Sequence, residues 1–254
     1  MSITILSPYR LFFIDETDFL FVLMKDGRLC KIKKVDSFPA LSADFKHLGG
    51  VSFDGENTHI TQTPLEFDHS APREIASVFG YFYYPAFASN SKKMALIEAD
   101  LLSPLSSGSL CLFQKKIKNW KKTTEIPALL KPPFWSRLTE SLFYFNTHHE
   151  LMCFCQDEKT IIAQNVYLAA LSPLQSEILY FDGNYVRLYS LIQKSEEIVF
   201  PAPYATAVSF DQKAQNIFYA TSFEGKHAIY GFHRASQKTY LLCETTTPIH
   251  FLCP

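Results

Sequence analysis

The stretch from Ala207 to Cys243, AVSFDQKAQNIFYATSFEGKHAIYGFHRASQKTYLLC, decides the fold. Its apolar segments, 207–210, 216–220, 227–232 and 239–243, are parted by polar or turn-forming residues. Four strands fit this pattern better than helices. Between them, Asp211-Gln212-Lys213 and Phe223-Glu224-Gly225-Lys226 supply the Asp and Gly that tight turns favour. Ser209 to Ile217 and Ile229 to Tyr240 have the spacing of hairpins, so the stretch reads as one small antiparallel sheet.

The same order recurs upstream. One unit earlier come Ala170-Leu171-Ser172-Pro173, Ile178 to Phe181, Val186 to Tyr189 and Ile198 to Phe200. Ser172 is matched here to Ser209, and Leu188-Tyr189 to Ile229-Tyr230, with the length differences falling in loops. A third copy reads Phe134-Trp135-Ser136, Ser141 to Phe145, Leu151 to Cys155 and Thr160 to Ala163. A fourth, looser copy reads Ala86 to Ser89, Met94 to Ile97, Leu110 to Phe113 and Trp120 to Ile126. Its excess length lies in Leu101 to Ser109, whose Pro104 and Ser-Ser-Gly-Ser tract predict a projecting loop. The first 80 residues keep strand character but lose the register: Leu11 to Ile14, Phe19 to Met24 and Arg28 to Lys33 read as strands, and Lys25-Asp26-Gly27 as a hairpin turn.

Small sheets of this length cannot bury both faces alone, so neighbours must stack around an axis. The expectation is an all-β, β-propeller-like array of five to six four-stranded units in one domain, 1–254. The units fall at approximately 1–40, 41–84, 85–127, 130–164, 167–201 and 204–244. The apolar piece 248–254 is too short for a unit of its own and is expected to close the ring by pairing with N-terminal strands. The order Ser209-Phe210-Asp211-Gln212-Lys213, Ile217 to Ala220, Ala228 to Phe232 and Thr239 to Leu242 resembles the repeat of TolB-type and related WD-repeat-like propellers. In that repeat a Ser-Pro-Asp-Gly-Lys turn precedes an apolar strand and an Ile-Tyr pair lies in the third strand. Here Phe210 stands for the proline and Gln212 for the glycine, while the preceding unit keeps Ser172-Pro173 without the Asp-Gly-Lys. The resemblance implies architecture and transfers little function.

Composition agrees with a globular β domain: 47% of the 254 residues are hydrophobic, 15% aromatic and only 19% charged. Lys plus Arg (24) nearly balances Asp plus Glu (25), so no long-range field draws nucleic acid or an anionic membrane, and neither is expected as a partner. The N-terminal apolar stretch is broken by Arg10, Asp15, Glu16 and Asp18, and reads as neither signal peptide nor membrane span. The six cysteines form no short disulfide framework. The expected location is cytoplasmic, with a signal-independent export route left open.

The densest charge feature is Lys115, Lys116, Lys118, Lys121 and Lys122 around Trp120. It is the candidate surface for an acidic partner, and its alternative role is the protection of an outer strand from edge-to-edge pairing. His148-His149-Glu150 with Cys153 and Cys155 gathers zinc-ligand types within eight positions. A strand would place the two cysteines on one face with the histidines in the preceding turn, and no second ligand pair is evident, so no metal and no cofactor is expected. Neither a Gly-rich phosphate loop nor a G-x-S-x-G elbow is present, and the paired carboxylates fall in turns, so no catalytic residues are assigned. The expected function is a non-catalytic protein-interaction scaffold. One alternative is a propeller enzyme or small-ligand binder with carboxylates and histidines at the central axis. Another is a bacterial effector or host-interaction protein.

Overall fold

Strand position within each sheet is written in the burial pattern of the sequence. Second strands such as Leu142–Phe145 and Glu177–Phe181 are apolar in nearly continuous runs and buried on both faces. Fourth strands such as Glu158–Ala163, Ser195–Pro201 and Lys238–Thr245 carry Lys and Glu on mostly exposed residues, which blunts an edge that could otherwise pair with another chain.

The computed structural model describes residues 9–24, 28–65, 72–89, 92–99, 107–116 and 119–253, which form 24 strands and no helix. They make six four-stranded antiparallel sheets arranged in a ring, a six-bladed β-propeller. Blade 1 begins with β1 (Tyr9–Asp15), β2 (Phe19–Met24) and β3 (Leu29–Lys34), and blade 2 is β4 (Ser37–Leu41), β5 (His47–Asp54), β6 (Asn57–Pro64) and β7 (Arg73–Phe79). Blade 3 is β8 (Phe82–Phe87), β9 (Lys93–Glu98), β10 (Ser107–Lys116) and β11 (Asn119–Leu129). Blade 4 is β12 (Phe134–Trp135), β13 (Leu142–Phe145), β14 (Leu151–Cys155) and β15 (Glu158–Ala163). Blade 5 is β16 (Leu168–Leu171), β17 (Glu177–Phe181), β18 (Tyr185–Ser190) and β19 (Ser195–Pro201). Blade 6 is β20 (Ala205–Phe210), β21 (Asn216–Phe223), β22 (Lys226–His233) and β23 (Lys238–Thr245), and β24 (Ile249–Cys253) returns to blade 1 as its innermost strand.

Closure follows the sequence expectation. Phe12, Phe13 and Ile14 pair with Cys253, Leu252 and Phe251, and the Thr247 hydroxyl donates to the Asp15 carboxylate at 3.0 Å. The ring holds six blades, at the upper end of the expected five to six. The hairpin turn predicted at Lys25-Asp26-Gly27 lies outside the described residues, as does Leu101–Ser106, while Ser107 to Ser109 open β10 and pair with β11.

The innermost strands run in one direction along the axis. The start of β20 touches the start of β24 (Thr206 hydroxyl to Ile249 carbonyl, 2.7 Å). The end of β4 touches the end of β8 (Ala43 N–H to Phe87 carbonyl, 3.1 Å). The ring therefore has an upper face, where inner strands begin, and a lower face, where they end. Gly49 lets β5 approach β8, since an added Cβ would fall 2.0 Å from the Pro85 carbonyl oxygen.

Two correspondences drawn from the sequence are corrected. Ile178 pairs with Tyr189 and Ile217 with Phe232, so Leu188-Tyr189 matches Gly231-Phe232 and not Ile229-Tyr230. Leu171 pairs with Ile178 and Phe210 with Ile217, so the turn residue matching Ser172 is Asp211 and not Ser209. The exchange has a physical basis. Ser172 Oγ accepts from the N–H groups of Ser176 and Glu177, and the Asp211 carboxylate accepts from the Gln215 N–H and the Asn216 amide. Either oxygen caps the lower turn.

Candidate functional site

The inner strands enclose an axial cavity of about 250 Å³. Its wall is made by Leu130 to Trp135, Tyr167 to Leu171, Ala207 to Ser209, His250 to Leu252, Tyr84 and Phe145, with Leu41, Ser42 and Phe45 at the lower end. Two strands bulge here: β4 shifts register between Ser37 and Ala40, and β8 between Tyr83 and Ala86. Phe38 and Tyr84 take left-handed backbone angles at these bulges, which re-aim side chains beside the axis.

Phe45 sits at the left-handed position of the blade 2 lower turn, with φ 59°. The turn is held by Ser42 Oγ accepting from the His47 N–H and by the Asp44 carboxylate accepting from the Lys46 N–H, both at 3.0 Å. From there the Phe45 ring packs against the apolar cluster of blades 4 and 5, on the far side of the axis. It lines the lower end of the cavity.

Lys131 is the cation of this wall. Its ammonium donates to the Tyr167 carbonyl at 2.7 Å and lies 4.9 Å from the Phe145 ring centroid and 5.4 Å from that of Tyr167. Pro132 and Pro133 follow it and restrict the backbone. Burial pulls its pKa down to about 8. His250 lines the opposite blade and is exposed, opening onto the cavity. Burial lowers its pKa against the opposing pull of Asp18, Asp15 and Glu16. Burial also pushes the Tyr84 hydroxyl up to about 12. No carboxylate side chain is among the described residues of the wall.

The exposed surface divides by residue type. Among the described residues the exposed large aromatics are Phe53, Phe79, Tyr167, Tyr185, Tyr204 and Phe223, and all six lie at strand ends or crossovers of the upper face. Tyr204 and Phe223 stack at 4.2 Å, and Tyr167 meets His149 at 5.4 Å beside the cavity mouth. The exposed large aliphatics lie elsewhere: Leu29, Ile161, Ile198 and Leu241 on outermost strands, and Leu138, Leu174 and Ile192 in lower turns.

The lysine cluster singled out in the sequence occupies the outer lower corner of blade 3. Lys115 and Lys116 end β10, while Trp120, Lys121 and Lys122 lie on β11; Lys118 falls outside the described residues. Lys115 reaches toward the Trp120 ring at 5.8 Å. Lys122 is engaged by Glu98 at 2.7 Å and Glu125 at 2.8 Å. Those carboxylates and Cys111 could in principle hold a metal ion, but the Lys122 ammonium already stands among them. Burial and the Glu98 carboxylate push the Cys111 thiol up to about 12. The His148 to Cys155 group is dispersed. His149 faces Tyr167, Glu150 accepts from Asn146 and Gln164, and Cys153 and Cys155 sit on β14.

No family model matches the chain, and neither does any curated protein. Solved structures do. TolB from Acinetobacter baumannii aligns with a TM-score of 0.68 and 14% identity, over 96% of this chain. The chain spans 66% of that TolB chain, less than two thirds of its length. This chain has a TolB-type β-propeller architecture. A chain of the nidogen/laminin complex aligns with a TM-score of 0.69 and 12% identity, over 96% of this propeller and 97% of its own length. An oligogalacturonate lyase in complex with manganese aligns at 0.57 and 12%, over 87% and 69%. At such identities the likeness is one of fold.

Proposed function

We propose that this propeller is a non-catalytic scaffold that receives a protein partner on its upper face. The supporting observation is that all six large aromatics exposed among the described residues lie on that face. Aromatic rings are enriched in protein interfaces because they bury a large area at low conformational cost. The nidogen/laminin complex contains a propeller of nearly the same length within a protein–protein complex, which adds a precedent of fold for this reading. The lysine corner at Lys115, Lys116, Trp120 and Lys121 is the second candidate contact.

The test is site-specific photo-crosslinking in the native host, with the reactive group at Tyr204 or Phe79 on the upper face, at Leu174 on the lower face and at Lys121 on the corner. A discrete partner is expected from the upper positions and its loss when Tyr204→Ser and Phe223→Ser are combined. Capture from Leu174 alone, or capture that the double substitution leaves unchanged, would overturn the upper-face assignment. Capture from Lys121 that Lys115→Glu, Lys116→Glu and Lys121→Glu abolish would move the contact to the corner.

A further inference from the structure

We infer that the axial cavity is a binding site for a small organic anion with an apolar body, a single-ring aryl carboxylate, whose carboxylate meets Lys131. Three features of the wall carry this, and none depends on the upper-face partner.

The first is size and shape. A cavity of about 250 Å³, lined at its lower end by Phe45, exceeds the roughly 150 Å³ of an apolar cavity that takes up benzene. It has room for one ring and a short side arm. The second is polarity. Leu130, Trp135, Leu168, Val208 and Leu252 supply an apolar wall, the setting in which a few placed polar groups fix a ligand's orientation.

The third is charge. Among the described residues of the wall Lys131 is the only Lys or Arg, no Asp or Glu side chain is present, and no carboxylate ion pair is found for Lys131. Its ammonium is satisfied only in part, by one carbonyl oxygen and two ring faces. An ammonium has three donors, so the arrangement leaves capacity for an anionic acceptor brought in from the mouth. A cationic ligand would meet Lys131 with like charge, and a neutral one would leave that capacity unused. Burial already holds the Lys131 pKa near 8, in keeping with a cation that lacks its counter-ion.

Trp135 lines the cavity, with its indole N–H donating to the Ala86 carbonyl at 3.1 Å, and provides the readout. The chain has two tryptophans, so Trp120→Phe leaves Trp135 as the sole indole reporter. In that background at pH 7, 3-phenylpropionate is titrated against the isosteric amine and alcohol, 3-phenylpropylamine and 3-phenylpropanol. Saturable quenching is expected with the carboxylate, with the amine weaker by on the order of tenfold or more. Lys131→Met should lower carboxylate affinity by a similar factor and leave the alcohol unchanged. Equal affinity for carboxylate and amine, an unaffected Lys131→Met variant, or no saturable binding of the carboxylate would each overturn the assignment. The comparison of ligands on unsubstituted Lys131 protein stands even where the variant folds poorly.

Discussion

The two faces of the ring use the same kind of capped turn for different purposes. On the lower face, the left-handed residue of each described first-to-second-strand turn reaches out of its own hairpin. Phe45 crosses to blades 4 and 5, Glu140 of blade 4 meets Lys93 of blade 3 at 3.3 Å, and Gln175 of blade 5 accepts from the Arg137 N–H of blade 4 at 2.7 Å. The Ala214 carbonyl accepts from Arg234, which also grips Glu177 of blade 5. On the upper face, the turns at Asp15, Asn146 and Asp182 are capped mainly from within their own blades, and the aromatic rings beside them are left to solvent. The lower face fastens blade to blade. The upper face presents groups whose removal should cost the fold little.

The sharpest way to break this contrast is one substitution made on each face. Phe45→Ala should cost about 2 kcal/mol, below the range for a fully buried Phe because the ring is half-buried, whereas Phe79→Ala should stay within about 0.5 kcal/mol. Chemical denaturation checks the pair, and similar values for both would end the distinction. A smaller effect is expected from Arg234→Met. It removes a two-pronged contact to Glu177, at 2.8 and 2.9 Å, that bridges two blades, and should lower stability by about 1–2 kcal/mol. A loss no greater than that of an exposed surface pair would show that this bridge does not fasten the ring.

A separate effect is a pH dependence at the mouth. With its folded pKa near 8 and its unfolded value near 10.5, Lys131 is protonated more fully in the unfolded chain between those pH values. Its contribution to stability therefore rises with pH across that window. The other polar groups of the cavity, Tyr167, Tyr84 and His250, and His149 against Tyr167, are shared by wild type and Lys131→Met. The stability advantage of Lys131→Met should accordingly shrink from pH 7.5 to pH 10.5, as measured by paired denaturation curves. A constant difference would contradict the burial of this cation.

Much of the fold was legible because backbone chemistry repeats. Blades 4 to 6 show their strands through turn residues and apolar runs, and the closing strand was readable from Ile249 to Cys253 as an apolar piece without partners of its own. Blade 2 was obscured because Ser42-Ala43-Asp44-Phe45-Lys46 has the capped turn with Phe at the position that glycine holds in the related repeat. The Ser209 match failed because Asp211 caps as a serine does. The cavity was harder to foresee, since its wall is assembled from short pieces of all six blades. The local signal was Lys131 between Leu130 and Pro132-Pro133, a lone cation in an apolar run leading into an inner strand.

Blade 1 also sets a timetable. Blades 2 to 6 each join strands that follow one another, so their hairpins can form as synthesis proceeds. The innermost strand of blade 1 meets its neighbour only when Ile249–Cys253 becomes available, with the Thr247 to Asp15 contact spanning 232 residues. Until then β1 exposes an unpaired inner edge, and Leu11, Phe12 and Phe13 lack the cover that blade 6 and β24 later provide. A chain that has emerged only as far as residue 248 would hold a nearly complete ring open at one seam, the stage at which a chaperone would have most to shield.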